Sequence, residues 1–188
     1  MLVLGVDPGV SRCGYGCVTR DRGREPGFRA VAAGVVTTSP SLDLPDRLVE
    51  LSRELRALVA ELRPAAVAVE RVFFQVNART AMAVGQASGL AMVSAAEAGC
   101  EVAQYTANEV KQAVAGYGAA DKAQVQAMVA VLCGLPAPPS PPDVADALAL
   151  AICHLTLVPG RARVAAALAA TPPGRQAGQV HREGPRGD

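Results

Sequence analysis

Hydrophobic positions change their spacing along the chain, and this change predicts a mixed α/β fold. Continuous or alternating apolar positions at 2–6, 15–19, 28–37, 65–70 and 101–105 predict five strands. The first three strands follow one another through short links, which is typical of an antiparallel meander. The later strands alternate with helices, so we expect a mixed five-stranded sheet flanked by helices.

Helical spacing of apolar residues is clearest at 45–63, where leucines recur every three or four residues between Arg and Glu. Pro45 suits the first turn of this helix, and Pro64 ends it. Further helices are predicted at 77–98, 121–133 and 143–157, with Asp121 as the cap of the second of these. A short helix is also predicted that ends at Val114 and is capped by Thr106 or Asn108.

A length of 188 residues with 51% hydrophobic composition suits one domain with a substantial core. After Pro159 the chain becomes rich in Arg, Gly, Pro and Ala. We therefore expect a domain at 1–158 and a largely disordered tail at 159–188, in which an Ala-rich stretch at 164–170 is able to form a helix.

The N-terminus lacks the basic start and long apolar stretch of an export leader, and no apolar window reaches the length of a membrane span. The five cysteines are odd in number and have no paired spacing. The simplest interpretation is that the cysteines are small buried hydrophobic residues of a protein in a reducing compartment. We expect a cytoplasmic protein.

Four carboxylates carry the candidate chemistry. Asp7 and Glu70 each end a buried apolar run, while Asp143 and Asp146 share one face at the start of the last predicted helix. Asp7 and Glu70 would be neighbours if their strands are parallel, because sites form beyond the carboxyl ends of such strands. Separately, Asp7 also suits a turn, Asp143 a helix cap and Asp146 a solvated first turn.

Such a cluster is costly unless protons or cations offset its repulsion. Oxygen ligands without His or Cys suit Mg²⁺ or Mn²⁺ better than Zn²⁺. Two such ions clamp the attacking water and the leaving oxygen of a phosphodiester in many nucleases. The residues therefore predict a two-metal site for phosphodiester hydrolysis.

Several ordered motifs resemble the RuvC-type Holliday-junction resolvases. They cover about residues 1–158 and include the Asp-Pro-Gly turn with its following Gly-Tyr-Gly and the strand that ends in Glu70. The segments that carry the resemblance are 3–16, 67–77, 85–89, 110–125 and 143–154. The resemblance implies a ribonuclease H-like fold and a homodimer that resolves four-way DNA junctions in recombination and repair. Paired nicks would leave 5′-phosphate and 3′-hydroxyl ends.

The resemblance also implies roles for single residues. Asp7, Glu70, Asp143 and Asp146 would bind the metals, with Asp146 at a position that varies in the family. Lys122 would lie near the scissile phosphate and Lys111 would contact DNA; the chain has only two lysines beside sixteen arginines, and both occupy motif positions. Each could otherwise be a solvated helix lysine.

A loop after Glu70 supplies further DNA contacts by the same resemblance. Phe73 would enter the junction centre and stack on unpaired bases, with Phe74 as the ambiguous second ring. Asn77 and Arg79 could bind phosphate or merely cap a helix. The small residues of 77–98 suit either packing on the sheet or a dimer interface. A branch-migration helicase complex is the expected partner.

Three other functions remain open. The opening turn also resembles that of actin- and hexokinase-type phosphotransferases, although these need two lobes. A ribonuclease H-like nuclease acting on RNA or another branched substrate has the same carboxylates, and a junction-binding module could lack catalysis.

A net charge of +1 is low for a nucleic-acid enzyme. Divalent ions at four carboxylates would make the chain more basic, so we expect DNA binding to strengthen with metal.

Overall fold

The fold follows the predicted order of elements. The structure is a computed structural model that describes residues 1–21, 23, 27–71 and 78–170. Within these ranges, the side chains of 78–80 and 159–170 are not described. Its strands are β1 (Leu2–Asp7), β2 (Arg12–Arg20), β3 (Phe28–Thr37), β4 (Ala66–Glu70) and β5 (Glu101–Tyr105). Its helices are α1 (Leu44–Leu62), α2 (Ala78–Glu97), α3 (Ala107–Ala115), α4 (Lys122–Cys133) and α5 (Pro142–Ala170).

The sheet has the order β3-β2-β1-β4-β5, with β1 in the centre. β1 pairs antiparallel with β2, and β2 pairs antiparallel with β3. β4 lies parallel to β1, and β5 lies parallel to β4. The predicted meander and the mixed sheet are confirmed. The central place of β1 explains its continuous apolar run, since Val3, Leu4 and Val6 are all fully buried.

Helices cover both faces of the sheet, and α5 lies directly on one of them. The core on the α5 face contains Val3, Ala66 and Ala68 together with residues of α3, α4 and α5. The opposite core contains Leu4 and Val67 together with residues of α1 and α2. Because side chains alternate along a strand, Asp7 and Glu70 share the α5 face with Val3, Ala66 and Ala68.

Glycines allow α5 to approach the sheet at backbone distance. A Cβ at Gly5 would collide with the carbonyl of Ala147, and a Cβ at Gly14 would collide with the carbonyl of Asp143. A Cβ at Gly16 would lie 2.7 Å from Cγ of Leu148. These glycines therefore fix how close the amino-terminal half of α5 comes to β1 and β2.

α5 extends beyond the predicted end at 157. It continues to Ala170 and so includes the Ala-rich stretch 164–170, for which the sequence allows a helix. Pro159 has no N–H to donate to the Leu155 carbonyl. Arg20 donates to that carbonyl instead, at 2.7 Å, and so satisfies the acceptor that the proline leaves. The rest of the predicted tail, 171–188, lies outside the described residues.

Local signals elsewhere act as predicted. Thr106 rather than Asn108 caps α3 through a capping box with Glu109, and Asp121 caps α4 in the same way with Gln124. All five cysteines are free; four are buried and Cys100 is half-buried. Among the described residues, no helix combines the length and apolar character needed to cross a membrane.

Candidate active site

Two parallel strands bring two carboxylates together. Val6 of β1 pairs with Val69 of β4, so Asp7 and Glu70 are the next residues at the carboxyl ends of neighbouring strands. Both side chains are half-buried on the α5 face. The sequence predicts that Asp7 and Glu70 are neighbours if their strands are parallel, and β1 and β4 are parallel neighbours.

α5 supplies the other two carboxylates. Asp143 and Asp146 stand in its first turns, above the end of β1 where Gly14 admits the backbone of Asp143. The negative charges of Asp146 and Asp143 both act on Asp7. All four predicted carboxylates therefore lie near one another at one end of the sheet.

A cleft of about 450 Å³ opens at this point. Asp7, Glu70 and Asp146 line it from the sheet and α5, while Lys111 and Lys122 line it from α3 and α4. Three predicted metal ligands and both lysines thus face the same space. Asp143 lies beside this cleft, with 28% of its side chain exposed.

Two ion pairs hold the aspartates of α5. Lys122 Nζ lies 2.7 Å from Asp146 Oδ2, and Arg12 Nη2 donates to Asp143 Oδ2 at 2.8 Å. Arg12 is the first residue of β2, and the sequence does not predict its role, because a single arginine beside a turn has no distinctive pattern. Because α5 begins at Pro142, Asp143 lies within the first turn of the helix rather than at the cap position.

The electrostatics of the cleft disfavour ionised strand carboxylates. Burial, followed by the charges of Asp146, Glu70 and Asp143, raises the pKa of Asp7 to about 7. Burial and the charge of Asp146 also raise the pKa of Glu70. Lys122 opposes both shifts, and its own pKa is raised mainly by its hydrogen bond to Asp146.

A buried polar pair joins β5 to α5. Tyr105 is the register partner of Glu70, and its hydroxyl lies 2.9 Å from Nδ1 of the fully buried His154. The two rings meet edge to face. His154 is therefore a core residue of α5 that joins this helix to β5.

The other predicted DNA contacts follow Glu70 in the sequence. Phe73, Phe74 and Asn77 lie outside the described residues, and the side chain of Arg79 is not described. Their roles stay predictions. Lys111 and Lys122 are the two predicted DNA-binding residues that the structure places at the cleft.

The donor set of the cleft is composed of carboxylate oxygens, which suits hard divalent cations. Across the described residues, no three His, Cys, Asp or Glu side chains already converge as a metal-binding group. Two of the four carboxylates are instead held by Arg12 and Lys122. The residues fit a cation that would exchange with these internal basic partners.

A mixed five-stranded sheet with carboxylates gathered where its parallel strands end defines a nuclease of the ribonuclease H-like class. Residues 3–154 match the family model described as "Crossover junction endodeoxyribonuclease RuvC". The chain belongs to the RuvC family of crossover junction endodeoxyribonucleases, whose members are metal-dependent.

Relatives agree over nearly the full length. A crossover junction endodeoxyribonuclease RuvC of Salinispora arenicola is 55% identical over 167 residues, which are 89% of this chain and 94% of that protein. The Thermus thermophilus RuvC structure matches with a TM-score of 0.79 at 38% identity, covering 86% of this chain and 97% of the other. T. thermophilus RuvC in complex with Holliday junction substrate matches with a TM-score of 0.76 at 35% identity, covering 85% and 96%.

Proposed function

We propose that this protein is a structure-specific DNA endonuclease that resolves four-way junctions in recombination and repair. The observation that carries the proposal is the meeting of Asp7, Glu70 and Asp146 with Lys111 and Lys122 in one cleft. The likeness to T. thermophilus RuvC, a protein known in complex with a Holliday junction, supports the choice of substrate.

Asp7, Glu70, Asp143 and Asp146 would hold the divalent cations. We propose two ions of Mg²⁺ or Mn²⁺, because four carboxylate groups supply oxygen ligands and negative charge for both. Bound there, the ions would supply Lewis acidity to the attacking water and to the phosphodiester oxygens. The raised pKa of Asp7 supports this assignment, since burial and then the charges of the neighbouring carboxylates disfavour an ionised Asp7 that no cation accompanies.

The basic side chains of the cleft act on the phosphate. Lys122 lies at the first position of α4 and donates to Asp146, which holds its ammonium group over the cleft. When the scissile phosphate enters, this charge offsets the negative charge that grows on it during hydrolysis. Lys111 on α3 attracts the DNA backbone to the same cleft.

We propose that Phe73 enters the junction centre, with Phe74 as the alternative ring, and that Asn77 and Arg79 bind nearby phosphates. The resemblance of 67–77 to the family motif supports these roles. An apolar ring that stacks on unpaired bases would favour a junction over a continuous duplex, because a duplex must be unstacked first. Comparing Phe73→Ala with Phe74→Ala in junction binding separates the two rings.

A homodimer would set two such clefts at a fixed distance for paired nicks that leave 5′-phosphate and 3′-hydroxyl ends. α2 supports this assembly, since its outer side exposes Met82 at 67% and Val93 at 50%. Between them Gly85 and Gly89 face open space, so a second backbone has room to approach. The proposed wider partner is a branch-migration helicase complex.

DNA junctions form on the chromosome, so we propose a cytoplasmic, nucleoid-associated location. We also propose the nuclease domain at 1–158, to which α5 adds the helical continuation 159–170. The remaining tail is rich in Arg, Gly and Pro.

The test uses synthetic four-way junctions, with the full chain and Asp7→Asn compared in Mg²⁺, Mn²⁺ and EDTA. We expect paired, symmetric nicks with either metal, none in EDTA and none from Asp7→Asn. Matched linear duplex, an RNA–DNA hybrid and a three-way junction accompany the four-way substrate. Binding without cleavage in both metals would leave a junction-binding module, while equal cleavage of duplex or hybrid would favour another ribonuclease H-like nuclease.

A further inference from the structure

Arg12 reaches the acidic cluster from the sheet. Residues 12, 14 and 16 of β2 share the face that meets α5, as the contacts of Gly14 with Asp143 and of Gly16 with Leu148 require. The side chain of Arg12 therefore rises beside the first turn of α5, where its Nη2 donates to Asp143 Oδ2 at 2.8 Å.

The turn before Arg12 is itself fixed. Arg47 of α1 donates to Ser11 Oγ at 2.6 Å and to Thr38 Oγ1 at 2.9 Å. Thr38 in turn donates to the carbonyl of Val10 at 2.7 Å. This network ties the turn at 7–12 to α1 and to the end of β3. The backbone that carries Arg12 is therefore held in place beside Asp143.

Arg12 and Lys122 divide the two aspartates of α5 between them. Lys122 holds Asp146 and Arg12 holds Asp143, each through one short ion pair. Asp7 and Glu70 have no ion pair among the described residues. The helix carboxylates thus already possess counter-charges, whereas the strand carboxylates do not.

We propose that Arg12 is a positioning residue that holds the Asp143 carboxylate as an internal counter-cation and competes with divalent metal for it. This inference rests on the proposed function, because it takes Asp143 to be a metal ligand. Loss of Arg12 would free an oxygen donor and remove a positive charge next to an incoming cation. Metal binding would therefore tighten, although the metal-free acidic cluster would be less well compensated.

The test measures Mn²⁺ binding by isothermal titration calorimetry with the full chain and its Arg12→Gln and Arg12→Lys variants. We expect the dissociation constant of Arg12→Gln to fall by about three- to tenfold, since a nearby unit charge and a competing ion pair are both removed. Arg12→Lys keeps the charge and is expected to stay closer to wild type.

Arg56→Gln is the matched control. Arg56 is exposed to a similar extent as Arg12, at 57% against 50% of the side chain. It forms an ion pair with Glu97, with Nε 3.1 Å from Oε2, on α1 and α2 away from the cleft. This variant is expected to bind Mn²⁺ as wild type does. A second readout is the rise in melting temperature on adding Mn²⁺ to metal-free protein, which should be larger for Arg12→Gln than for Arg56→Gln.

The outcomes separate the two proposals. Unchanged or weaker Mn²⁺ binding by Arg12→Gln, in a wild type whose binding is lost with Asp7→Asn, would overturn the role of Arg12 alone. A wild type that binds no Mn²⁺ would overturn the proposed metal site itself. Equal loss of stability with and without Mn²⁺ would reduce Arg12 to a structural ion pair.

Discussion

Gly14 lies directly against the main chain of Asp143, with no room between them for even a methyl group. Gly14 is also the register partner of Asp7 in the β1–β2 ladder. One glycine therefore adjoins a strand carboxylate through the sheet and a helix carboxylate through packing. The spacing between Asp7 and Asp143 depends on it.

Gly14→Ala is expected to move the start of α5 and to reduce junction cleavage by about 100-fold, because misplaced catalytic groups lose their effective alignment. Overpacking should also lower the free energy of unfolding by about 1–3 kcal/mol. Single-turnover cleavage and urea denaturation measure the two effects. Gly23→Ala is the control, since a Cβ there would meet only Asp21 Oδ1 at 3.8 Å. Near-normal cleavage by Gly14→Ala would contradict the packing argument.

Lys122→Gln is expected to slow cleavage of bound junction by about 100-fold, as removal of a charge-stabilising donor does in other active sites. Junction affinity should change much less, because many phosphates share the binding. Lys111→Gln is the comparison: we expect it to weaken junction binding while the rate at saturation is largely kept. Single-turnover rates and fluorescence anisotropy with Ca²⁺ separate rate from affinity. If Lys122→Gln weakened binding and Lys111→Gln slowed cleavage, the proposed roles of the two lysines would be exchanged.

Metal-free protein should lose stability as pH rises from about 4 to about 7. Burial and neighbouring carboxylates raise the pKa of folded Asp7 from 3.8 to about 7, so between these values the folded state binds a proton that the unfolded state has released. The stability that this proton contributes is fully present below the unfolded-state pKa of 3.8, and it is lost as the pH rises through the folded-state pKa of about 7. Urea denaturation in EDTA should show a weaker decline for Asp7→Asn than for wild type. Parallel pH curves for the two proteins would refute this assignment.

Val93→Asp is expected to break the proposed dimer, because it places a charge on the exposed apolar side of α2. Analytical ultracentrifugation should show a monomer, and junctions should receive single rather than paired nicks. Val131→Asp is the control, since Val131 on α4 is exposed to a similar extent, 59%. An intact dimer of Val93→Asp would exclude this side of α2 as the interface.

The sequence is informative wherever one residue type has a strong local meaning. Asp7 and Glu70 could be placed because each ends an apolar run that only a buried strand explains, and strand direction then brings them together. Asp143 and Asp146 could be placed on one helix face by spacing alone. The same logic predicted most element boundaries within a few residues.

Other features depend on distant partners and have no local signal. Arg12 meets Asp143 only because Gly14 and Gly16 let α5 settle onto β2. Pro159 predicts a helix end, but α5 continues past it, and the carbonyl that the proline leaves without a donor accepts a hydrogen bond from Arg20 of β2. Such tertiary contacts override local propensity, and one sequence does not reveal them.

α5 is both the most deeply buried helix segment and the carrier of two active-site carboxylates. From Ala145 to Leu155 its described side chains are almost all inaccessible to water, and its backbone rests on glycines of β1 and β2. An opening that dismantled the cleft on this side would have to lift the helix from the central strands. Amide protons of this segment should therefore exchange with solvent only through global unfolding. Heat inactivation and loss of the fold should then follow a single time course.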